Sequence, residues 1–321
     1  MLLSLRRQGR LLSTTTDNFP LRQLASRLGL TPDNLLTVLK KFPRAASSPS
    51  FPGLDHLLSL GLTPTEARKV VLGHPKVLEM NSTIIEAKLS YLDARLDLNG
   101  AAVCRFIVKY PAIFSKSTAF VEPKLSCLET SLSLSTAEPL STAELRKIVT
   151  KQPTILSMSA SKSIAPKLAL ITSLLDLKPD ELRRMVVSFP GILAASFESN
   201  TVPTYNFFAD LLTPSMARTF LIGNSAALSA SLTNKLEPRR DQLLSAGVAA
   251  NVAAAKRMAS LGEKAWAEWL DNEANPEESR RRRNQTRREA RGDEKITATS
   301  WRRGGKGGEE GTYSQTEEWR R

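Results

Sequence analysis

Lys69, Arg105, Lys147 and Arg184 each stand six residues before a proline: Pro75, Pro111, Pro153 and Pro190. Lys109 and Lys151 stand two residues before two of those prolines, and Lys41 stands two before Pro43. The two columns are four residues apart, so on a helix they share one face. Their other occupants are uncharged: Thr37, Thr219, Gly73, Ser188 and Gly223. A third column lies seven residues before the mark and holds Arg68, Arg146, Arg183 and Arg218, the last counted from Ser225. A fourth set, Lys88, Lys124, Lys167 and Arg239, follows directly on Ala87, Pro123, Pro166 and Pro238. Ammonium and guanidinium groups repeated at fixed intervals suit one chemistry above others, contact with a row of phosphates. An ordinary solvated helix face would mix the signs of its charges. The first two columns hold seven charged residues and all are basic. No side-chain pattern suggests reading of base edges, so phosphate contacts should dominate.

Other chemistry lacks its parts. His56 and His74 are the only histidines, and neither accompanies a carboxylate pair or a Cys/His cluster. His74 occupies the slot filled elsewhere by Tyr110 and Phe189, which points to packing. Cys104 and Cys127 cannot build a disulfide framework or a four-thiolate metal site. They read as small apolar residues in a reducing compartment. The sequence has no phosphate-binding glycine loop, nucleophile elbow or zinc-protease motif. No enzyme activity, metal or cofactor is expected.

The elements that position the basic columns are repeats. The marks in KFPRAA, HPKVL, YPAIF, QPTIL and FPGIL recur at spacings of 32, 36, 42 and 37 residues. A sixth copy, NSAALS, has Ser225 in the proline slot. The long interval contains STAE twice, at Ser135–Glu138 and Ser141–Glu144, a duplication whose removal restores 36. Two residues after the mark come Val77/Leu78, Ile113/Phe114, Ile155/Leu156 and Ile192/Leu193. A second mark follows at Pro52, Ala87, Pro123, Pro166, Pro203 and Pro238, and should be the first residue of another helix. A third opens the repeat at Pro32, Pro64, Pro179 and Pro214, and Thr63/Glu66 and Ser141/Glu144 fit capping boxes. In the fifth copy Leu182, Met185, Val186 and Phe189 share one face. One such unit cannot bury that face alone, but stacked neighbours can. The expectation is an all-α fold, an α-solenoid of about six repeats in which the V/I-L pair plugs between helices.

Tetratricopeptide repeats want a Trp-Leu-Gly-Tyr pattern, yet all four Trp lie beyond residue 265. The P-x-[VI]-[LF] mark is also foreign to pentatricopeptide repeats, which read RNA one base per repeat. The run LGLTPTEARKVV, the proline with its V/I-L pair and the following P-K-L resemble the mitochondrial transcription termination factor (mTERF) family over about Leu28 to Ala246. The resemblance is strong in the second to fifth repeats and weak in the first and sixth. It implies triple-helical repeats, two α-helices and a short 3₁₀ turn each. It also implies an organellar protein that binds nucleic acid through a basic concave groove.

The chain carries a net charge of +13, of which residues 276–321 supply +4. The basic character therefore belongs mainly to the folded part, and an acidic partner follows from it. Double-stranded DNA is the first candidate, RNA the second, and a monomer is expected. Residues 1–18 are Arg-, Leu- and hydroxyl-rich with a single acid, Asp17, the composition of an organellar transit peptide, mitochondrial before plastid. Residues 19–275 should form the repeat domain, closed by a capping helix carrying Trp266 and Trp269. Residues 276–321 are charge-dense and Gly-rich, too poor in aliphatics to fold, and should be disordered. No stretch is long and apolar enough to span a membrane, and no membrane partner is expected. The function expected is regulation of transcription or its termination through the basic groove. The alternatives are an RNA-binding splicing or ribosome-assembly factor and a protein-binding scaffold.

Overall fold

The computed structural model describes residues 19–134 and 138–286. The expected transit peptide and residues 287–321 of the expected tail lie outside the described residues. Two compact units are present, one ending at Lys235 and one beginning at Leu236.

In the first unit, α1 (Phe19–Leu28) precedes the repeats. The first helices of the repeats are α2 (Pro32–Lys41), α4 (Pro64–Gly73), α6 (Gly100–Lys109), α8 (Thr142–Lys151), α10 (Pro179–Ser188) and α12 (Pro214–Gly223). Their starts are local chemistry. Pro32, Pro64, Pro179 and Pro214 take the first helical position, where a missing N–H costs nothing. Thr63/Glu66 and Ser141/Glu144 form complete capping boxes. Each helix ends two residues before the mark, and the residue between them turns the chain. His74, Tyr110, Gln152 and Phe189 adopt φ of −141, −135, −130 and −135°, outside the helical region, as the following proline demands. Asn224 takes φ −134° although Ser225 follows, so stacking holds the sixth turn without the ring.

The mark then begins a 3₁₀ turn: Pro43–Ser47, Pro75–Glu79, Pro111–Ser115, Pro153–Ser157, Pro190–Leu193 and Ser225–Ser229. Its V/I-L pair is core. Val77, Leu78, Ile155, Leu156 and Leu193 have no exposed surface. Ala45 and Ala227 fill the same slot in the two degenerate copies, also buried.

The second helices are α3 (Pro52–Ser59), α5 (Ser82–Leu96), α7 (Thr118–Leu132), α9 (Ala165–Leu175) and α11 (Val202–Leu211). Contrary to expectation, the second mark does not always open a helix. Pro52 is a first helical residue, but Pro123 lies inside α7. One wide π-turn precedes Pro166, Pro203 and Pro238, over Ala160–Ile164, Phe197–Thr201 and Leu232–Leu236. The amides of Ile164 and Thr201 reach back five residues, to the carbonyls of Ser159 and Ser196. The widened turn gives the ring room that an α-turn would deny it. Successive first helices pack on one another, α2 on α4, α4 on α6, α8 on α10 and α10 on α12.

The second unit holds α13 (Glu237–Ser245), which is the second helix of repeat six, then α14 (Val252–Ser260) and α15 (Glu263–Ala274). Trp266 is buried, donates its indole N–H to Gln242 Oε1 at 2.6 Å and lies beside the Arg239 guanidinium. A last helix, α16 (276–286), occupies the start of the segment expected to lack structure. Its cause is electrostatic. Glu277 and Glu278 sit in the first turn, arginines follow, and Arg282 pairs with Glu278 and Asp271.

Candidate nucleic-acid interface

The basic columns separate by one residue of register. Residues seven before the mark point between layers. Arg68 donates to the Gly29 carbonyl at 3.1 Å, and Arg146 to the Asp97 carbonyl at 2.9 Å. Arg218 donates to the carbonyls of Leu175 and Asp176 at 2.7 and 2.6 Å. Arg183 reaches the carbonyls of Glu138 and Pro139 and pairs with Glu144 at 2.6 Å. Arg68, Arg146 and Arg218 thus satisfy carbonyls at or just past the end of an earlier helix, whereas Arg183 ties down the loop before α8. Cys104 stands in the same column and directs its thiol to the Leu60 carbonyl. The Arg183 guanidinium holds the Glu144 carboxyl down to about 2.

The residues after the second mark are also engaged within the fold. Lys88 donates to the Lys116 carbonyl, and Lys167 to the carbonyls of Leu193 and Ala195 at 2.8 and 2.6 Å. Lys124 is buried over the Phe120 ring, 3.4 Å from its centroid. Burial lowers the ammonium pKa of Lys88 and of Lys124. Arg239 is 2% exposed and donates to the carbonyls of Met258 and Leu261 and to Glu263. Arg68, Arg183, Arg218, Lys88, Lys124, Lys167 and Arg239, expected on the binding face, thus all make hydrogen bonds or ring contacts within the fold. The sequence shows their spacing but not their acceptors. Apart from Phe120 beneath Lys124, those acceptors are remote in the chain, and the Asp97 carbonyl that Arg146 reaches is 49 residues away.

The column six before the mark is different. Lys69, Arg105, Lys147 and Arg184 are all exposed. Lys69, Arg105 and Lys147 make no hydrogen bond or ion pair among the described residues, while Arg184 holds only Asp180, one turn earlier on its own helix. Lys109 and Lys151, two before the mark, are exposed as well. Lys109 donates to the carbonyls of Thr150 and Lys151 at 2.6 and 2.9 Å, and Lys151 to Ser188 at 2.8 Å. Lys41 does the same to Leu72 at 3.0 Å. A lysine at the end of one helix thus neutralises the C-terminal carbonyls of the next. With three N–H donors each, Lys109 keeps one and Lys151 two for an outside acceptor. The uncharged gap at Gly73 has a steric cause, since a Cβ there would lie 2.7 Å from the Pro111 ring.

These charges converge between α6 and α8. A groove of about 480 Å³ opens there, lined by Arg105, Lys109, Arg146 and Lys147 over Ala102 and Ala143. Among the described residues no carboxylate lines it, although the Arg146 guanidinium in its wall is paired with the Asp97 carboxylate. The one ring in its wall, Phe106, is 2% exposed. His74 lies elsewhere, half-buried at the end of α4, with its pKa lowered by desolvation and by Lys76 and Lys88. Among the described residues no group of three or more His, Cys, Asp or Glu could hold a metal.

The repeat geometry has a counterpart among known families: the mTERF model matches residues 93–264, more than half of the chain. The chain belongs to the mTERF family. No curated protein matches it. mTERF proteins are helical-repeat, nucleic-acid-binding factors of organelles. The matched span contains the α6–α8 groove and four of the six repeat marks. Among the described residues no helix of this mTERF protein is long and apolar enough to cross a membrane.

Proposed function

We propose that this mTERF protein binds double-stranded DNA by its phosphate backbone and regulates transcription or its termination by occupying the duplex. Contact is made by Lys69, Arg105, Lys109, Lys147, Lys151 and Arg184, while Arg146 braces the groove wall through Asp97. One observation carries the reading. The column pointing out of the stack is basic, exposed and largely without internal partners, while the adjacent column is used within the fold.

A duplex suits the face better than a single strand. Single-strand binders offer aromatic platforms for unstacked bases, and the groove exposes none. The Arg-, Leu- and hydroxyl-rich composition of residues 1–18 favours the mitochondrion over the plastid. Replacing Arg105, Lys109, Lys147 and Lys151 together by Gln tests the reading. Affinity for duplex DNA should fall alike for all sequences, and more for DNA than for a structured RNA. Equal loss on both would favour an RNA-binding role. Unchanged binding to either would leave the face to a protein partner.

A further inference from the structure

The second unit carries a basic cluster that the groove does not use. Seven of the twelve residues in 280–291 are Arg, one is acidic and none is Lys. The described part, α16, has a definite inner side. Ser279 is 4% exposed, and Arg282 is held by Asp271 at 3.3 Å and Glu278 at 2.7 Å. At about 100° per residue, Arg280, Arg281 and Asn284 fall on the side away from Ser279. All three are exposed, and Arg280 and Arg281 make no hydrogen bond or ion pair among the described residues. Arg283 is exposed too, giving its Nε–H to the Ser279 carbonyl at 3.2 Å.

Four consecutive guanidinium groups repel one another, and among the described residues only Arg282 of the four forms an ion pair. The uncompensated groups are arginines, whose planar fork of donors matches a phosphate in bidentate fashion. We propose that α16 is a second site for the phosphodiester backbone of nucleic acid, separate from the groove, so that one chain holds two nucleic-acid segments at once. The two-segment part rests on the groove reading above, while the α16 site stands on its own residues.

The test uses the full chain and an equimolar mixture of two short DNA duplexes, one with a donor dye and one with an acceptor. A parallel arm replaces the acceptor duplex by a labelled RNA hairpin. The native protein should bring donor and acceptor together in at least one arm, and the better arm identifies the second segment as DNA or RNA. The variant R280Q/R281Q/R283Q should keep binding one duplex through the groove but lose energy transfer at least fivefold. Its helix content should stay native, because all three side chains are exposed. The groove variant R105Q/K109Q/K147Q/K151Q should bind one segment through α16 and also lose transfer. Native-level transfer in the α16 variant, or no transfer by the native chain in either arm, would overturn the proposal. Native duplex affinity in the groove variant would instead overturn the groove reading and leave α16 as the binding site.

Discussion

Arg183 and Arg184 are neighbours in sequence with opposite duties. The side chain of Arg183 is 16% exposed and gathers Glu144 and two carbonyls, whereas that of Arg184 is 68% exposed. R183Q should therefore destabilise the fold by about 1.5–3 kcal/mol, the worth of hydrogen bonds to a charged group, and leave DNA affinity nearly intact. R184Q should change stability by less than about 0.5 kcal/mol and flatten the salt dependence of binding. Urea unfolding and binding titrations on the two variants check the pair, and matching effects would sink the division of labour. A pH signature accompanies it. Glu144 has its carboxyl lowered to about 2 in the folded protein, so its contribution is present above the ordinary carboxylate value of 4.5. It should fade as pH falls toward 2, because the unfolded chain binds the proton first. The stability gap between native protein and E144Q should accordingly close across that window.

Among the elements, the turn after each first helix is the geometry that every repeat of this chain keeps, and proline is its commonest means rather than its requirement. Asn224 and Ser225 make the turn without it, with Ser225 Oγ near Ser188 Oγ at 3.3 Å. S225P should be tolerated, changing stability by less than about 1 kcal/mol. I155A removes a plug with no exposed surface and should cost about 2–5 kcal/mol. Thermal melts on the two variants check this. First helices and 3₁₀ turns are legible in sequence because caps and prolines act on their own neighbours, as at Thr63, Glu66 and Pro75. The starts of the second helices are not, because a π-turn before Pro166 depends on how the ring is accommodated in three dimensions. The groove residues Arg105, Lys109 and Lys147 are legible as an all-basic face. The internally bonded residues are not, because Arg146 and Lys147 differ by one position of register. Only the structure shows that Arg146 engages the Asp97 carbonyl while Lys147 faces outward. The carbonyls that engage Arg218 likewise belong to a distant repeat.

The molecule as a whole comprises two compact units, the first holding the basic groove and the second the exposed arginines of α16. The second unit is centred on Trp266, and W266A should destabilise it by about 3–5 kcal/mol. Ending the chain at Asn275 should leave Trp266 and its melting transition unchanged, which near-ultraviolet circular dichroism would follow. That shortened chain also isolates the groove from α16. The most direct measurement is the salt dependence of its affinity for duplex DNA, with and without R105Q/K109Q/K147Q/K151Q. Each side chain withdrawn from a phosphate should flatten the slope of log affinity against log salt by about 0.9, alike for unrelated DNA sequences. An unchanged slope and affinity in the fourfold variant would contradict the claim that this face holds the phosphate backbone.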